Sequence, residues 1–158
     1  MTLLTPEIME WVGRSITFSS DPISLSEARR FIAASGDDNP LYALPEVGED
    51  AGGKTPVPPM LYYGATRPLA PSDDFTEDGT VAEHRPLIGS GQTMGGSVEM
   101  EWFEPLMLDD QLYGTRTLAS LQEKTGRKRD FVIAEWITEY RDKAGRLLVR
   151  ERYEQILF

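Results

Sequence analysis

The last third of the chain alternates apolar and polar positions with a period of two, which is typical of β-strands. Val98, Met100 and Trp102 alternate with glutamates, so one side of this stretch is apolar and the other is charged. Three further strands are predicted in QLYGTRTLASLQEK, RDFVIAEWITEYRDKAGR and LLVRERYEQILF. The turn at 143–145 and the link EKTGRKRD join them. The C-terminal half is therefore predicted to be an antiparallel meander.

Helical spacing of apolar residues marks LSEARRFIAAS as the clearest helix of the chain. Ser24 with Glu27 three positions later is a capping box, and Gly36 ends the pattern. The apolar side consists of Leu25, Ala28, Phe31 and Ile32, and Ala33 and Ala34 keep the later turns slim. We expect this helix to lie close against the sheet.

Shorter elements are predicted elsewhere. A helix is predicted in TPEIMEWVGRS, with Thr5 as its N-cap, Pro6 in its first turn and its end at Gly13, and the β-like stretch SITFSSDPI follows. From Ala43 to about Thr93 the chain fits no regular pattern, apart from a short apolar helix in PPMLYYGATRPL. Irregular stretches of this length usually form binding loops or conceal short elements.

These elements predict one α+β domain over residues 1–158, with a curved antiparallel sheet wrapped around the helix. Because 26 Asp and Glu outnumber 16 Lys and Arg, the net charge of -10 argues against a nucleic-acid partner. The chain has no cysteine, which excludes disulfides, thiolate nucleophiles and cysteine metal sites. The N-terminus does not resemble a signal peptide and no apolar run is long enough to span a membrane, so we expect a cytoplasmic protein with no membrane partner.

The segment SGDDNPLYA, residues 35–43, allows two interpretations. In the first it is an ordinary helix stop, in which Gly36 is the C-cap and the following Asp, Asn and Pro residues form a turn. In the second it is the mouth of an active site, since it gathers two carboxylates, an amide and a phenol within a few positions. Composition alone does not separate the two.

Few other segments carry recognisable chemistry. The chain has no Walker A loop, no dinucleotide fingerprint and no nucleophile elbow. His84 is the only histidine, which excludes a His-rich metal site, and it is either an exposed loop residue or a recruited catalytic group. Gly95 and Gly96 indicate either a bend or bulge at a strand start or a close approach of the backbone to a ligand.

The order of these segments resembles the MaoC-like hydratase and dehydratase family. The matching order is a capped helix ending in ASGDDNPLY, then PVPPMLYYG, then GGSVEMEWFEPLMLDDQL opening the strands, with EKTGR and YRDKAGRLLVRERY after it. The resemblance is greatest to the N-terminal half of double-hotdog enoyl-CoA hydratases and to the dehydratase region of fatty acid synthases. It implies a hotdog fold, in which an antiparallel sheet wraps a long central helix and a second hotdog pairs with it as a homodimer or heterodimer.

Catalytic members of that family carry Asp-x-Asn-Pro-x-His after the central helix, and the matching residues here are Asp37, Asn39 and Tyr42. In the family, the Asp and the His hold a water that adds across the double bond of a 2-enoyl thioester, and no cofactor or metal takes part. Tyr42 stands in the place of the His, and a tyrosine is a weaker base than an imidazole at neutral pH.

Two hypotheses of different classes follow from this substitution. The chain is a hydratase or dehydratase of acyl-CoA or another acyl thioester, in which Asp37 is central, Asn39 orients it and Tyr42 or His84 assists. Alternatively, it is a non-catalytic subunit that cradles the acyl chain while a partner hotdog brings the Asp and the His. A hotdog thioesterase is a further alternative, of another reaction class.

The acyl thioester is expected to enter between PVPPMLYYG and MGGS. The candidate substrate-binding residues are Pro59, Met60, Tyr62, Gly95 and Gly96. Core packing and tight turns are the competing interpretation of these positions. The cluster KTGRKR, residues 124–129, either binds the phosphates of CoA or is a solvated hairpin tip.

Overall fold

A five-stranded antiparallel sheet forms the centre of the molecule. The computed structural model describes residues 2–44, 55–66, 72–75 and 85–158. Its strands are β1 (Ser15–Ser19), β2 (Thr93–Trp102), β3 (Tyr113–Lys124), β4 (Phe131–Arg141) and β5 (Leu147–Leu157). They lie in the order β1-β3-β4-β5-β2. Strands β3, β4 and β5 form a meander as predicted, but β2, which the prediction places first in the meander, pairs with β5 and is an edge strand.

Three α-helices accompany the sheet in the described residues: α1 (Pro6–Met9), α2 (Leu25–Ser35) and α3 (Leu61–Ala65). The capping box of α2 is present, since the backbone N–H of Ser24 donates to Glu27 at 2.9 Å and the Ser24 hydroxyl accepts from the Glu27 N–H. Gly36 ends α2 with a φ of 66°, a left-handed conformation that favours glycine. Short 3₁₀ helices cover Pro40–Tyr42 and Ser72–Asp74.

Helix α1 is shorter than the sequence predicts. It ends at Met9, and turns carry the chain to Gly13. The N–H of Gly13 donates to the carbonyl of Leu118 on β3 at 2.8 Å, which draws the chain onto the sheet before another helical turn forms. The backbone hydrogen bond to the sheet has therefore replaced the last predicted turn of the helix.

The inner face of the sheet carries the core. Every second residue of β4 is buried, as the alternation predicts. At one end of this face α2 and α3 cover an apolar cluster that includes Ile23, Ala28, Leu61, Tyr62, Leu112, Tyr140, Leu148 and Val149. At the other end Leu3, Leu4, Ile8 and Trp11 from the N-terminal segment pack on Leu118, Leu121, Val132, Ala134 and Trp136.

Helix α2 contacts the core through one side only. Ala28 is fully buried, and Leu25 and Phe31 are partly buried against the same cluster. The expectation that the slim turns at Ala33 and Ala34 lie close to the sheet is wrong, because both alanines are exposed. Successive residues of an α-helix are rotated by about 100°, so Ala33 and Ala34 point away from the buried side of α2, which carries Leu25 and Ala28.

Strand β2 leaves apolar side chains open to solvent. Its hydrogen-bonded neighbour is β5, and its other edge has no partner strand among the described residues. Val98 is 46% exposed, although it lies on the inner face opposite Tyr153. Natural proteins usually cover an edge strand that exposes an apolar side chain.

The outer face of the sheet is charged. Arg150 contacts Glu139 at 2.9 Å and Glu101 at 3.2 Å, and Arg152 contacts Glu135 at 2.9 Å. The glutamates that alternate with the apolar residues of β2 therefore lie on a solvated, ion-paired surface. Within the described ranges no helix has the length and apolar character needed to cross a bilayer.

Candidate functional site

An apolar cavity of about 310 Å³ lies at the end of the sheet where β2 finishes. Three segments form its wall: the turn after α2, the segment before α3 and the turn after β2. The lining residues are Leu41, Tyr42, Pro56, Val57, Pro59, Trp102, Phe103, Glu104, Pro105 and Leu106. A mostly apolar concave surface with few polar groups is typical of a small-molecule site.

Backbone hydrogen bonds hold two of these segments together. The N–H of Val57 donates to the carbonyl of Leu106 at 2.9 Å, and the N–H of Leu108 donates to Thr55 at 2.8 Å. The N–H of Phe103 donates to Leu148 on β5 at 2.9 Å, which fixes the turn after β2 to the sheet. Prolines at 56, 59 and 105 restrict the backbone further. These hydrogen bonds and prolines fix the backbone of the wall.

The turn after α2 uses its polar side chains to shape its own backbone. Oδ1 of Asp37 accepts from the N–H of Asn39 at 3.0 Å, and Oδ1 of Asn39 accepts from the N–H of Leu41 at 3.0 Å. Asn39 thereby caps the short 3₁₀ helix that delivers Tyr42 to the cavity wall. Asp37 is half-buried and is not among the lining residues. Of the three residues at the positions of the family's Asp, Asn and His, Tyr42 alone reaches the cavity.

Tyr62 lies behind the cavity rather than on its surface. It is fully buried, and its hydroxyl donates to the carboxylate of Glu151 at 2.6 Å and contacts the sulfur of Met100 at 3.1 Å. Its ring meets that of Trp102 edge-on, with 5.4 Å between centroids. Tyr62 therefore supports the wall residue Trp102 from the core.

Two further predicted residues lie beside α3. Pro59 lines the cavity. Met60, which precedes the helix, is 41% exposed and is not part of the wall. The structure thus brings together Tyr42 and Pro59 from the predicted set.

Gly95 and Gly96 belong to a β-bulge at the other end of β2. The pairing with β5 shifts between Gly95 and Val98, and a Cβ on Gly96 would lie 2.8 Å from the carbonyl oxygen of Glu154. The absence of side chains thus permits the bulge. Trp102 lies six positions after Gly96, or roughly 20 Å along a strand at ~3.3 Å per residue, so the glycines do not join this cavity.

The basic cluster also lies away from the cavity, in the link between β3 and β4. Within it, Arg129 stacks on the ring of Phe158 at 3.8 Å and contacts the side chain of Gln92 at 3.4 Å. The charge of Arg129 therefore takes part in contacts within the protein. His84 lies outside the described residues.

Sequence reasoning missed the wall residues Trp102, Phe103 and Glu104. The sequence pattern places Trp102 on the apolar side of a strand and indicates no role for Phe103 and Glu104. The proline that follows Glu104 signals the end of the strand, but it does not reveal that the turn faces the segment at 55–59. Among the residues that the structure describes, no group of three or more His, Asp or Glu side chains is arranged to hold a metal.

Comparison with known proteins identifies relatives of this chain. A family model described as FAS1-like, dehydratase domain region, matches residues 10–151. A probable enoyl-CoA hydratase alpha subunit from Thermomonospora curvata is 26% identical over 167 residues, which cover 96% of this chain and 50% of the relative. The chain thus spans about half the length of the curated relative it matches.

Solved structures share the fold. The (R)-hydratase from A. caviae involved in PHA biosynthesis matches with a TM-score of 0.60 at 20% identity, covering 93% of this chain and 96% of that one. The ChsH1-ChsH2 complex from Mycobacterium tuberculosis matches with a TM-score of 0.63 at 13% identity, covering 90% and 83%. The solved structures confirm the predicted hotdog fold, and the family model confirms the predicted resemblance to the dehydratase family. This chain therefore belongs to the FAS1-like, dehydratase domain region family.

Proposed function

We propose that this chain is the acyl-binding hotdog of a hydratase or dehydratase that acts on enoyl thioesters. Such an enzyme adds water across the C2–C3 double bond of the acyl group, or removes it in the reverse direction. The observation that carries the proposal is the apolar cavity of about 310 Å³ whose wall includes Tyr42. Its apolar wall suits a hydrocarbon chain, and burial of that chain would supply the binding energy.

The hydrogen bonds of Asp37 and Asn39, which match the catalytic motif, favour a supporting role for this chain. Asp37 already accepts a hydrogen bond from Asn39, and Asn39 already caps the next turn. A general base must reach the proton that it removes, and Asp37 does not line the cavity. A second hotdog with an intact Asp-x-Asn-Pro-x-His motif would then supply the acid and base chemistry.

The uncovered edge of β2 suits such a partner. Val98 on this strand is 46% exposed, and a strand from a second sheet would pair with the β2 edge that has no partner strand among the described residues and cover this side chain. The names of the relatives support an assembly of subunits, because one is an alpha subunit and another is a two-component complex. The partner is either a second copy or a different hotdog chain.

Assays of the chain alone and with a partner test this proposal. The chain is purified alone and after co-expression with a neighbouring-gene hotdog protein that carries the intact motif, and each sample is incubated with crotonyl-CoA and longer enoyl-CoA thioesters. We expect loss of the enoyl absorbance only with the partner, without release of free thiol. Release of free CoA thiol by the chain would indicate a thioesterase instead.

A further inference from the structure

Glu99 and Glu101 give the edge strand β2 a negative charge. Both lie on the outer face of the sheet, in register with Arg152 and Arg150 of β5. Their side chains are 73% and 61% exposed. Side chains that face each other on paired strands lie about 5 Å apart. A strand that docks on the edge of β2 would therefore bring its own outer-face side chains beside these two carboxylates.

The arginines of β5 do not cancel this charge. Arg150 lies 2.9 Å from Glu139 on β4 and 3.2 Å from Glu101. Arg152 is shared in the same way between a glutamate of β4, at 2.9 Å, and Glu99, at 3.7 Å. Three arginines and four glutamates form this network in the part of the chain that the structure describes. The outer face beside the edge therefore carries an excess of negative charge.

The bulge end of the same edge is acidic as well. The hydroxyl of Ser97 donates to the carboxylate of Glu154 on β5 at 2.8 Å. Strand β2 itself contains no lysine or arginine, and the net charge of the whole chain is -10. A surface of this kind repels an acidic partner and attracts a basic one.

These charges disfavour pairing of β2 with β2 of a second copy. Two-fold symmetry makes the two strands antiparallel, and each residue then faces a residue of the same strand in the other copy. An axis at Glu99 or Glu101 places that glutamate opposite itself, and an axis at Met100 places Glu99 opposite Glu101. Like charges directly opposite each other on paired strands are destabilising. Charge therefore opposes self-pairing through the middle of the strand.

Backbone geometry opposes self-pairing toward the ends of β2. An axis at Val98 sets the regular half of one strand against the bulge of the other, because the register shifts between Gly95 and Val98. An axis at Trp102 places Glu99 opposite Pro105, which has no N–H to donate. A second copy of this chain is therefore a poor occupant of the edge.

We infer that the partner on β2 is a different chain, a hotdog whose docking strand carries Lys or Arg on its outer face, opposite Glu99 and Glu101. This inference rests on the proposed function, which requires a second hotdog, and it selects between the two partners left open there. Successive residues of a strand point to opposite faces, so the same partner strand can place apolar side chains over Val98 on the inner face. The docking strand is thus expected to alternate basic and apolar residues.

Sedimentation of the chain alone and with the neighbouring-gene hotdog protein tests this inference. We expect the chain alone to be monomeric at about 50 mM NaCl, where charges are weakly screened, and the complex to bind about ten-fold more weakly at about 500 mM NaCl. Glu99→Gln with Glu101→Gln should weaken the complex about ten-fold at low salt and flatten its salt dependence. The matched control is Glu7→Gln with Glu10→Gln, which makes the same change in net charge at exposed residues of the N-terminal segment and should bind normally.

A further result would support the inference. If Glu99→Gln with Glu101→Gln makes the chain alone self-associate, and Val98→Asp abolishes that association, then the two charges prevent self-pairing in the unchanged protein. A stable homodimer of the unchanged chain at low salt that Val98→Asp dissociates would overturn the inference, because β2 would then pair with itself. An affinity for the partner that neither salt nor the loss of the two glutamates alters would overturn it as well.

Turnover of crotonyl-CoA by the same samples separates this inference from the proposed function. Turnover by a complex that is insensitive to salt and to the two glutamates would overturn the inference and leave the proposed function standing. A salt-sensitive complex without turnover of any enoyl thioester would support the inferred partner chemistry and contradict the proposed function. Failure of the two proteins to associate at either salt concentration would overturn both.

Discussion

The hydroxyl of Tyr62 donates a 2.6 Å hydrogen bond to the carboxylate of Glu151, and this contact ties α3 to the centre of the sheet. Glu151 lies on β5, opposite Thr138 of β4 and Met100 of β2. The same tyrosine ring supports Trp102, which forms part of the cavity wall. The shape of the candidate site therefore depends on a contact in the core behind it.

Removal of the Tyr62 hydroxyl should destabilise the protein. Tyr62→Phe leaves the carboxylate of Glu151 without this donor, so we expect the free energy of unfolding to fall by about 1–3 kcal/mol, as measured by urea denaturation. Tyr63→Phe is the matched control, because Tyr63 is 46% exposed, and it should cost less than about 0.5 kcal/mol. Equal effects of the two substitutions would contradict the role assigned to the Tyr62–Glu151 contact.

If Gly95 and Gly96 serve only to form the β-bulge, replacing Gly96 should lower the stability of the fold without a specific loss of thioester binding. A Cβ at Gly96 would lie 2.8 Å from the carbonyl oxygen of Glu154, so Gly96→Ala should destabilise the fold by about 1 kcal/mol or more. Gly64→Ala in α3 meets no atom within 4 Å and should be neutral or stabilising by up to about 1 kcal/mol. A Gly96→Ala protein of normal stability that no longer binds enoyl thioesters would instead support a ligand contact.

A bulky side chain at Leu41 should block the cavity. Leu41 lines the wall and is 61% exposed, so Leu41→Trp can fill the space without disturbing the core. We expect at least ten-fold weaker binding of trans-2-hexenoyl-CoA by calorimetry, with an unchanged unfolding midpoint. Leu87→Trp, at a residue that is 62% exposed and does not line the cavity, should bind normally. Normal binding by Leu41→Trp would place the acyl site elsewhere.

The outer-face ion pairs predict a loss of stability in acid. Hydrogen bonds from Arg141 and Arg150 hold the pKa of Glu139 below its ordinary value. The folded state then binds fewer protons than the unfolded state, so this stabilisation is complete above about pH 4.3 and is lost as the pH falls through the lowered pKa. Glu139→Gln should flatten that part of the pH profile of unfolding, measured with urea between pH 3 and 7. A profile as steep as that of the unchanged protein would show that Glu139 does not contribute.

Local sequence signals predicted the regular elements well. The capping box at Ser24 and the glycine at 36 are interactions between near neighbours, so the bounds of α2 follow from residues within a few positions. The strands follow from the alternation of buried and exposed residues, but the pairing of β2 with β5 does not. Family resemblance added the hotdog fold, because the order of several weak motifs is more specific than each motif alone.

The cavity could not be predicted in the same way. Val57 meets Leu106, and Tyr62 meets Glu151, across sequence separations that no local pattern reports. The apolar helix in PPMLYYGATRPL was predicted, but the burial of its Tyr62 depends on a partner 89 residues away. Gly95 and Gly96 allowed two interpretations, and the proximity of the Glu154 backbone gives Gly96 a structural reason to be glycine.

If the partner docks on β2, a charged substitution on that strand should prevent association. Val98→Asp places a charge on the uncovered edge strand, where it should prevent association with a second hotdog and leave the fold intact. We expect sedimentation of the co-expressed proteins to show separate chains, and Leu87→Asp to leave the complex unchanged. A stable complex that contains Val98→Asp would place the partner on another surface.

The central claim is that this chain holds the acyl group while a partner hotdog performs the proton transfers. The most direct test is the turnover of crotonyl-CoA by the reconstituted pair with Asp37→Asn in this chain, compared with the same change at the catalytic Asp of the partner's motif. Asparagine keeps the side-chain oxygen that accepts from the Asn39 N–H, so the turn is preserved. We expect turnover to persist with Asp37→Asn and to be abolished by the change in the partner. Loss of turnover with Asp37→Asn would contradict the claim and make Asp37 the catalytic carboxylate.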